Sequence, residues 1–258
     1  MTHPIRIAVQ IHPQHAEYRD IRNAAVEAEE LGVDIVYNWD HFYPLYGDAE
    51  GKHFEAYTML ASFAEVTERV EIGALVTCNS YRNPELLADM ARTIDHISEG
   101  RFILGIGSGW FEKDYDEYGY EFGDAVGRLK DLRDSLPRIE SRLGKLNPSP
   151  TRDIPVLIGG GGETMTLRYT ARHADIWHGF GKPEVIAHKN QVLNDWCEKE
   201  GTEASGIERS VGIEPKHFDK ADDFRAAGST PVSIGVDGPE SDVGPGGEGR
   251  AGGAGRGG

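Results

Sequence analysis

The sequence predicts an α/β protein folded as a single (β/α)8 barrel of the TIM type, and three observations predict it. Strand-like runs of β-branched and apolar residues alternate with helix-periodic stretches along most of the chain. Eight such runs can be counted, which favours a parallel sheet closed into a barrel over an open one. The length of 258 residues matches the roughly 250 residues typical of one such barrel.

The first strand is Ile5-Arg6-Ile7-Ala8-Val9-Gln10-Ile11 and the second Val33-Asp34-Ile35-Val36-Tyr37. Between them Ile21, Ala24, Ala25, Ala28 and Leu31 recur at the spacing of one helix face, and Gly32 stands at a C-terminal cap. A helix over residues 54–67, with Phe54, Tyr57, Ala61 and Ala64 on one side, leads to a third strand at 70–76. Asn83-Pro84 supplies the cap and first-turn proline of a helix that buries Leu87, Ala91, Ile94 and Ile97. Gly100 ends it, and Arg101-Phe102-Ile103-Leu104-Gly105-Ile106 forms the fourth strand. A long helix over 126–143 precedes the fifth strand at 154–158 and a helix directly after Gly162. The sixth strand at 175–178, a further helix, the seventh strand at 207–213, a short helix near 221–227 and the eighth strand at 231–236 complete the count.

Beyond that point the composition turns to Gly238-Pro239 and a run ending Gly252-Gly253-Ala254-Gly255-Arg256-Gly257-Gly258. Such a segment buries too little apolar surface to offset its ordering entropy. The expected division is a barrel over 1–237, its last helix incomplete or missing, and a disordered glycine-rich tail over 238–258. Both a chain that does without an eighth helix and a reading frame that departs near Gly244 remain open.

Charge excludes several partners. Lys and Arg number 27 against 43 Asp and Glu, a formal charge of −16, which repels phosphate backbones and anionic membranes. No apolar run approaches the roughly 20 residues of a membrane span. Met1-Thr2-His3-Pro4-Ile5-Arg6 lacks the pattern of a secretory signal, so a cytoplasmic location is expected. Cys78 and Cys197 form no Cys-x-x-Cys pair or disulfide framework and read as free thiols.

In a barrel of this kind chemistry sits at the C-terminal ends of the strands. There the chain carries Trp39-Asp40-His41-Phe42, Thr77-Cys78-Asn79-Ser80-Tyr81, Gly107-Ser108-Gly109-Trp110, Gly159-Gly160-Gly161-Gly162-Glu163-Thr164 and His178-Gly179-Phe180. Four glycines before a helix present N–H groups where anions bind, so a phosphate is expected there; a tight turn alone rarely needs four. Gly105-x-Gly107-x-Gly109 lacks the spacing and downstream acid of a dinucleotide-binding fingerprint. His41 beside Asp40 is a candidate proton donor or acceptor near neutral pH, the alternative being a buried structural pair. The histidines make no His-x-His or His-x3-His spacing with a flanking carboxylate, and no metal site is expected.

These residues resemble the luciferase-like monooxygenase superfamily, and within it the oxidoreductases that depend on the deazaflavin coenzyme F420. The resemblance spans about residues 5 to 236. It rests on Asp40-His41-Phe42, on Ile72-Gly73-Ala74-Leu75-Val76-Thr77 with Tyr81-Arg82-Asn83-Pro84, on Leu104-Gly105-Ile106-Gly107-Ser108-Gly109-Trp110, and on Pro155-Val156-Leu157-Ile158-Gly159-Gly160-Gly161-Gly162. It implies a bulge in the third strand with a cis peptide at Leu75-Val76 pressing on the central cofactor ring, with Cys78 beyond it. It further implies Gly107 and Ser108 lining the ring, and the cofactor phosphate on the loop of Gly159, Gly160, Gly161 and Gly162. His41, with Asp40 beside it, would face the site of hydride transfer. Relatives that oxidise sugar phosphates carry a glutamate where this chain has Trp110 and a tryptophan where it has Leu45, so that substrate class is not implied. The segment between residues 144 and 153, where longer relatives insert a lid and extra strands, is short, and an open substrate pocket is expected from it.

The function expected is hydride transfer between F420 and a small organic substrate. The alternative is an FMN-dependent monooxygenase using oxygen and a partner flavin reductase. A non-enzymatic barrel fits less well, given the Asp40-His41 pair and the glycine loops. The expected partners are a small-molecule substrate and, as an assembly left open, a second copy in a homodimer.

Overall fold

All eight expected strands form, and each pairs in parallel with its neighbours in the computed structural model, which describes residues 5–214 and 219–236. The first half runs β1 (Arg6–Ile11), α1 (Tyr18–Glu30), β2 (Ile35–Asn38), α2 (Ala56–Val66), β3 (Glu71–Ala74), β4 (Thr77–Cys78), α3 (Pro84–Ile97) and β5 (Phe102–Gly107). The second runs α4 (Glu112–Tyr118), α5 (Ala125–Leu143), β6 (Val156–Gly159), α6 (Thr166–His173), β7 (Ile176–Phe180), α7 (Pro183–Glu200), β8 (Glu208–Gly212), α8 (Ala221–Ala226) and β9 (Pro231–Val236). The sheet order β3-β2-β1-β9-β8-β7-β6-β5-β4 closes because β3 and β4 both pair with β5, as two halves of one barrel strand. This is a closed TIM-type barrel of eight parallel strands.

Local chemistry explains the helix ends. Asn83 caps α3 by accepting from the N–H of Leu86, and Pro84 opens the first turn. Glu55 caps α2, its carboxylate accepting from Tyr57 and Thr58 N–H, and Asp124 caps α5 through the N–H of Gly127. Two expectations are corrected. The helix expected directly after Gly162 begins at Thr166, because Gly162 to Met165 form a turn closed by the Leu167 N–H on the Gly162 carbonyl. The α4 helix was not expected at all. The glycine-rich tail expected over 238–258 lies outside the described residues.

Period-two alternation separates the cores. Ala8, Ile35, Tyr37, Ile103, Leu157 and Ile176 fill the barrel interior, while the residues between them pack outward on the helices, Val36, Ile72 and Leu104 in one cluster and Trp177 and Val211 in another. At the N-terminal end Arg6 closes the floor. Its guanidinium bonds Glu208, with Nε 3.0 Å from Oε1, and reaches Glu71 as well. Burial alone would lower its pKa, but the hydrogen bond and charge of Glu208, with Glu71 behind, hold it above the ordinary arginine value.

The strand at the join of β3 and β4 carries one residue too many. Gly73 pairs with Ile103 and Thr77 with Ile106, so four steps on one side face three on the other. That is a β-bulge, and the cis peptide Leu75–Val76 lies inside it. The backbones are so close here that a Cβ on Gly105 would come within 2.0 Å of the Ala74 carbonyl oxygen. Gly105→Ala is therefore expected to lose several kcal/mol of stability or fail to fold, since backbone cannot give way as a side-chain tip can. Gly206→Ala, where a Cβ meets nothing within 4 Å, should change the urea midpoint little. Equal midpoints for the two variants would refute the close approach.

Candidate active site

Trp39, Asp40 and His41 follow directly on β2 and stand at the C-terminal mouth of the barrel, all three buried. The two titratable neighbours do not bond each other and serve different partners. His41 Nδ1 lies 2.7 Å from Oδ2 of Asp114. Asp114 is fully buried and also accepts from the Phe42 N–H at 3.1 Å, the Tyr43 N–H at 3.2 Å and the Tyr81 hydroxyl at 2.9 Å. Its carboxylate is thus the hub that fixes the loop after β2 and the imidazole together.

Asp114 was missed in the sequence because α4 is missed. The helix is seven residues long, Glu-Lys-Asp-Tyr-Asp-Glu-Tyr, too short and too acidic to show an apolar period. The available signal was Gly119, which takes φ 71° as its C-terminal cap. Acids in a first helical turn also oppose the positive end of the helix dipole, and Asp114 is one of them.

Asp40 belongs to a different cluster. Its carboxylate accepts from both Arg82 Nη atoms, at 2.6 and 3.0 Å, and from the Cys78 N–H at 2.9 Å. Arg82 reaches Glu55 at 2.5 Å and lies over the Tyr57 ring, 4.4 Å from its centroid. This ties β2, β4 and the caps of α2 and α3 into one ionic knot. Burial pushes the Cys78 thiol up to about 11, so it stays protonated, with Sγ 3.2 Å from the Tyr115 hydroxyl. Both cysteines are free.

The bulge forms one wall of the mouth. Gln10 Nε2 donates to the Leu75 carbonyl at 2.6 Å. The Val76 side chain turns across the barrel, and a Cβ on Gly107 would come within 2.8 Å of it, one on Gly159 within 3.0 Å. Those two glycines make room for the bulge. Ser108 stands half-buried one residue past β5.

The glycine loop continues from β6. Gly160 needs φ 124°, its N–H is taken by the His178 carbonyl at 3.0 Å, and its own carbonyl accepts from Trp177 Nε1 at 2.8 Å. Gly161 is open, a Cβ there meeting only Lys189 Cε at 3.7 Å, whereas one on Gly162 would press on Thr166. Leu75, Gln10, Phe180, Lys182, Gly212 and Ser233 line a cavity of about 640 Å³ at the same mouth. A wider cleft of about 900 Å³ opens at the opposite end, along α5 and the segments that enter β6, β7 and β8. It holds none of the expected site residues, and the 144–153 segment expected to leave the substrate pocket open lines this cleft instead, because it leads into the start of β6, away from the mouth.

Aromatic rings surround His41. Trp110 and Phe111 approach it edge-on with centroids 5.7 and 5.4 Å away, and Trp39 at 6.1 Å. Trp39 also stacks on His12 and donates to His53 Nε2. Burial first, then the nearby His41, depresses the pKa of His53 to about 4. Among the described residues no three His, Cys, Asp or Glu side chains converge as a metal site, and no helix is long and apolar enough to cross a membrane.

A single sequence profile, described as luciferase-like monooxygenase, matches residues 1–227. The chain belongs to that family. Among its luciferase-like relatives is an F420-dependent glucose-6-phosphate dehydrogenase of Amycolatopsis mediterranei, 33% identical over 61% of this chain and 52% of its own. Another is the pyrimidine monooxygenase RutA of Variovorax paradoxus, 28% identical over 70% of this chain and 55% of that protein. The chain spans little more than half the length of these curated relatives. The same barrel occurs in an F420-dependent secondary alcohol dehydrogenase, with TM-score 0.81, 15% identity and 91% and 94% of the two chains covered. It recurs in the F420-dependent tetrahydromethanopterin reductase of Methanopyrus kandleri, with TM-score 0.73, 16% identity and 95% of each chain covered. Luciferase-like proteins thus include F420-dependent oxidoreductases and monooxygenases alike.

Asp114→Asn keeps the shape but turns one carboxylate oxygen into an amide donor, which cannot accept from the set it then faces, either His41 and Tyr81 or the N–H groups of Phe42 and Tyr43. A loss of about 2–3 kcal/mol in unfolding free energy is expected, together with a changed His41 imidazole NMR signal; an unshifted signal would remove Asp114 as its holder. Acid should also weaken the fold. His53 stays neutral when folded down to about pH 4, whereas in the unfolded chain it protonates below about 6.5. The unfolded state therefore binds more protons in that window, and stability falls as pH drops through it by up to about 1.4 kcal/mol per pH unit. His53→Gln should flatten the slope between pH 6.5 and 4.5; an identical slope would contradict burial of a neutral imidazole.

Proposed function

We propose that this luciferase-like chain transfers a hydride between the deazaflavin F420 and a small organic substrate carrying a carbonyl, an alcohol or a conjugated alkene. The observation that carries the reading is a histidine held by a buried carboxylate at the C-terminal mouth of the barrel, the end at which the bulge and the glycine loop also lie. The residues present fit a flavin-type ring. The cavity of about 640 Å³, with Leu75 on its wall, lies within the size range of small-ligand pockets. The relatives named for F420 favour this cofactor; those named as monooxygenases favour FMN as the second reading.

When bound, the reduced cofactor supplies the hydride. The remaining work belongs to side chains. Asp114 holds the Nδ1–H of His41, so Nε2 is the nitrogen that gives a proton to the substrate oxygen or takes one from it. Trp39, Trp110 and Phe111 pack their edges around the imidazole and narrow the access of water to it. Asp40, also expected to be catalytic, has its oxygens committed to Arg82 and the Cys78 N–H, and serves by tying the strand ends together. An exposed Trp110 where sugar-phosphate oxidisers carry a glutamate argues for an uncharged, apolar substrate.

Titration of the pure protein with F420 and FMN separates the two cofactor readings; binding of FMN alone would overturn the first. Gly161→Asp has room for its side chain but sets a carboxylate beside a bound phosphate. Like charges about 4 Å apart repel by about 4 kcal/mol at an effective dielectric near 20, so cofactor affinity should fall at least about 100-fold with the melting temperature unchanged. An unaltered dissociation constant would remove this loop from the phosphate site. His41→Ala should leave cofactor affinity intact and slow single-turnover hydride transfer by about 10²- to 10⁴-fold; a wild-type rate would exclude His41 as the proton-transfer residue.

A further inference from the structure

His178 is a buried imidazole with one nitrogen unused. It lies on β7 two residues after Ile176, which faces the barrel interior, whereas Trp177 between them packs outward. Alternation turns His178 inward, and it is 1% exposed. Nδ1 is 2.8 Å from the Ser210 hydroxyl on the neighbouring strand β8. Nε2 has no hydrogen-bond partner among the described residues. Leaving a buried polar nitrogen unpaired is costly, and replacement by an apolar residue would avoid that cost.

The unpaired nitrogen points toward the mouth. A Cβ on Gly212 would stand 3.4 Å from His178 Nε2, and Gly212 lines the 640 Å³ cavity together with Leu75, Gln10 and Phe180. On the other flank His178 pairs in register with Gly159, whose absent Cβ would strike Val76 of the bulge. His178 therefore lies between the bulge wall and the cavity. Burial depresses its pKa to about 3, and no neighbouring charge contributes. A neutral imidazole in an uncharged setting suits an uncharged hydrogen-bonding partner rather than a carboxylate or phosphate.

We propose that His178, oriented by Ser210, is a cofactor-binding residue whose Nε2 hydrogen-bonds an uncharged carbonyl or ring-nitrogen edge of the flavin-type ring seated against Leu75 and Val76. The inference rests on the cofactor reading above and names the group that holds the ring's polar edge. The Ser210 hydroxyl holds the Nδ1 side of the ring and can donate to it or accept from it, so Nε2 is able to donate to the ring edge when Nδ1 accepts.

The test uses the full chain, with FMN and F420 as separate probes. The cofactor that binds the wild type should shift the Nε2 resonance of His178 in ¹⁵N-histidine-labelled protein. His178→Leu should bind it about 10-fold more weakly and alter its visible absorption band, while the ligand-free melting temperature stays level or rises. Ser210→Ala should weaken binding less. If the cofactor binds the wild type without moving the Nε2 resonance, the proposal is overturned even should His178→Leu fail to fold. A lower melting temperature with unchanged affinity would make His178 structural and overturn it too. Failure of both cofactors to bind wild-type protein would instead overturn the cofactor reading, and this inference with it.

Discussion

One extra residue in the third barrel strand governs the mouth of this protein. With four steps on β3 and β4 against three on β5, the ladder cannot run through in register, and the surplus is taken up at Leu75–Val76. Everything near it is adapted to the intrusion. Gly73 and Gly105 let the backbones of β3 and β5 approach more closely than any Cβ allows, and Gly107 and Gly159 clear the volume that Val76 enters. Gln10 from β1 satisfies the Leu75 carbonyl that the broken ladder releases. A bulge of this kind re-aims side chains at a functional rim, and here it raises an apolar wall beside the cavity.

Two buried carboxylates stand at the mouth beside the bulged strand. A buried charge must be paired and hydrogen-bonded to persist, and both satisfy that condition, by different means. Asp40 is neutralised by Arg82, which spreads the charge onward to Glu55. Asp114 pairs with no arginine among the described residues; it is held by two backbone N–H groups, a tyrosine hydroxyl and His41. The difference gives the two acids separate work. The first fixes strand ends, and the second holds the Nδ1 side of the His41 imidazole.

Inside the barrel, ionic groups cluster at the floor and an uncharged polar pair lies higher up. At the floor of the barrel Arg6 meets Glu71 and Glu208, far from the cavity. Nearer the rim the interior becomes small or apolar, with His178 and Ser210 as an uncharged polar pair. In a low-dielectric interior a neutral donor or acceptor of fixed direction discriminates by geometry, because any ligand group that fails to meet it leaves a polar atom unpaired.

The sequence by itself determined the barrel and the family, because those signals are local. Alternating strands and amphipathic helices repeat through the chain, Asn83-Pro84 and Gly32 mark helix ends by their own stereochemistry, and the glycines after β5 and β6 stand where barrel enzymes carry their sites. His41 was legible from its position after β2. The tertiary structure alone decided who holds it. Asp40 is adjacent in the chain, but successive residues at a strand end point to opposite sides, and its carboxylate turned to Arg82. The true holder, Asp114, is 73 residues away, on an acidic helix of seven residues with no apolar period to reveal it. Likewise the unpaired nitrogen of His178 exists only because β7, β8 and the bulge converge; spacing along a chain carries no record of which atom is left without a partner.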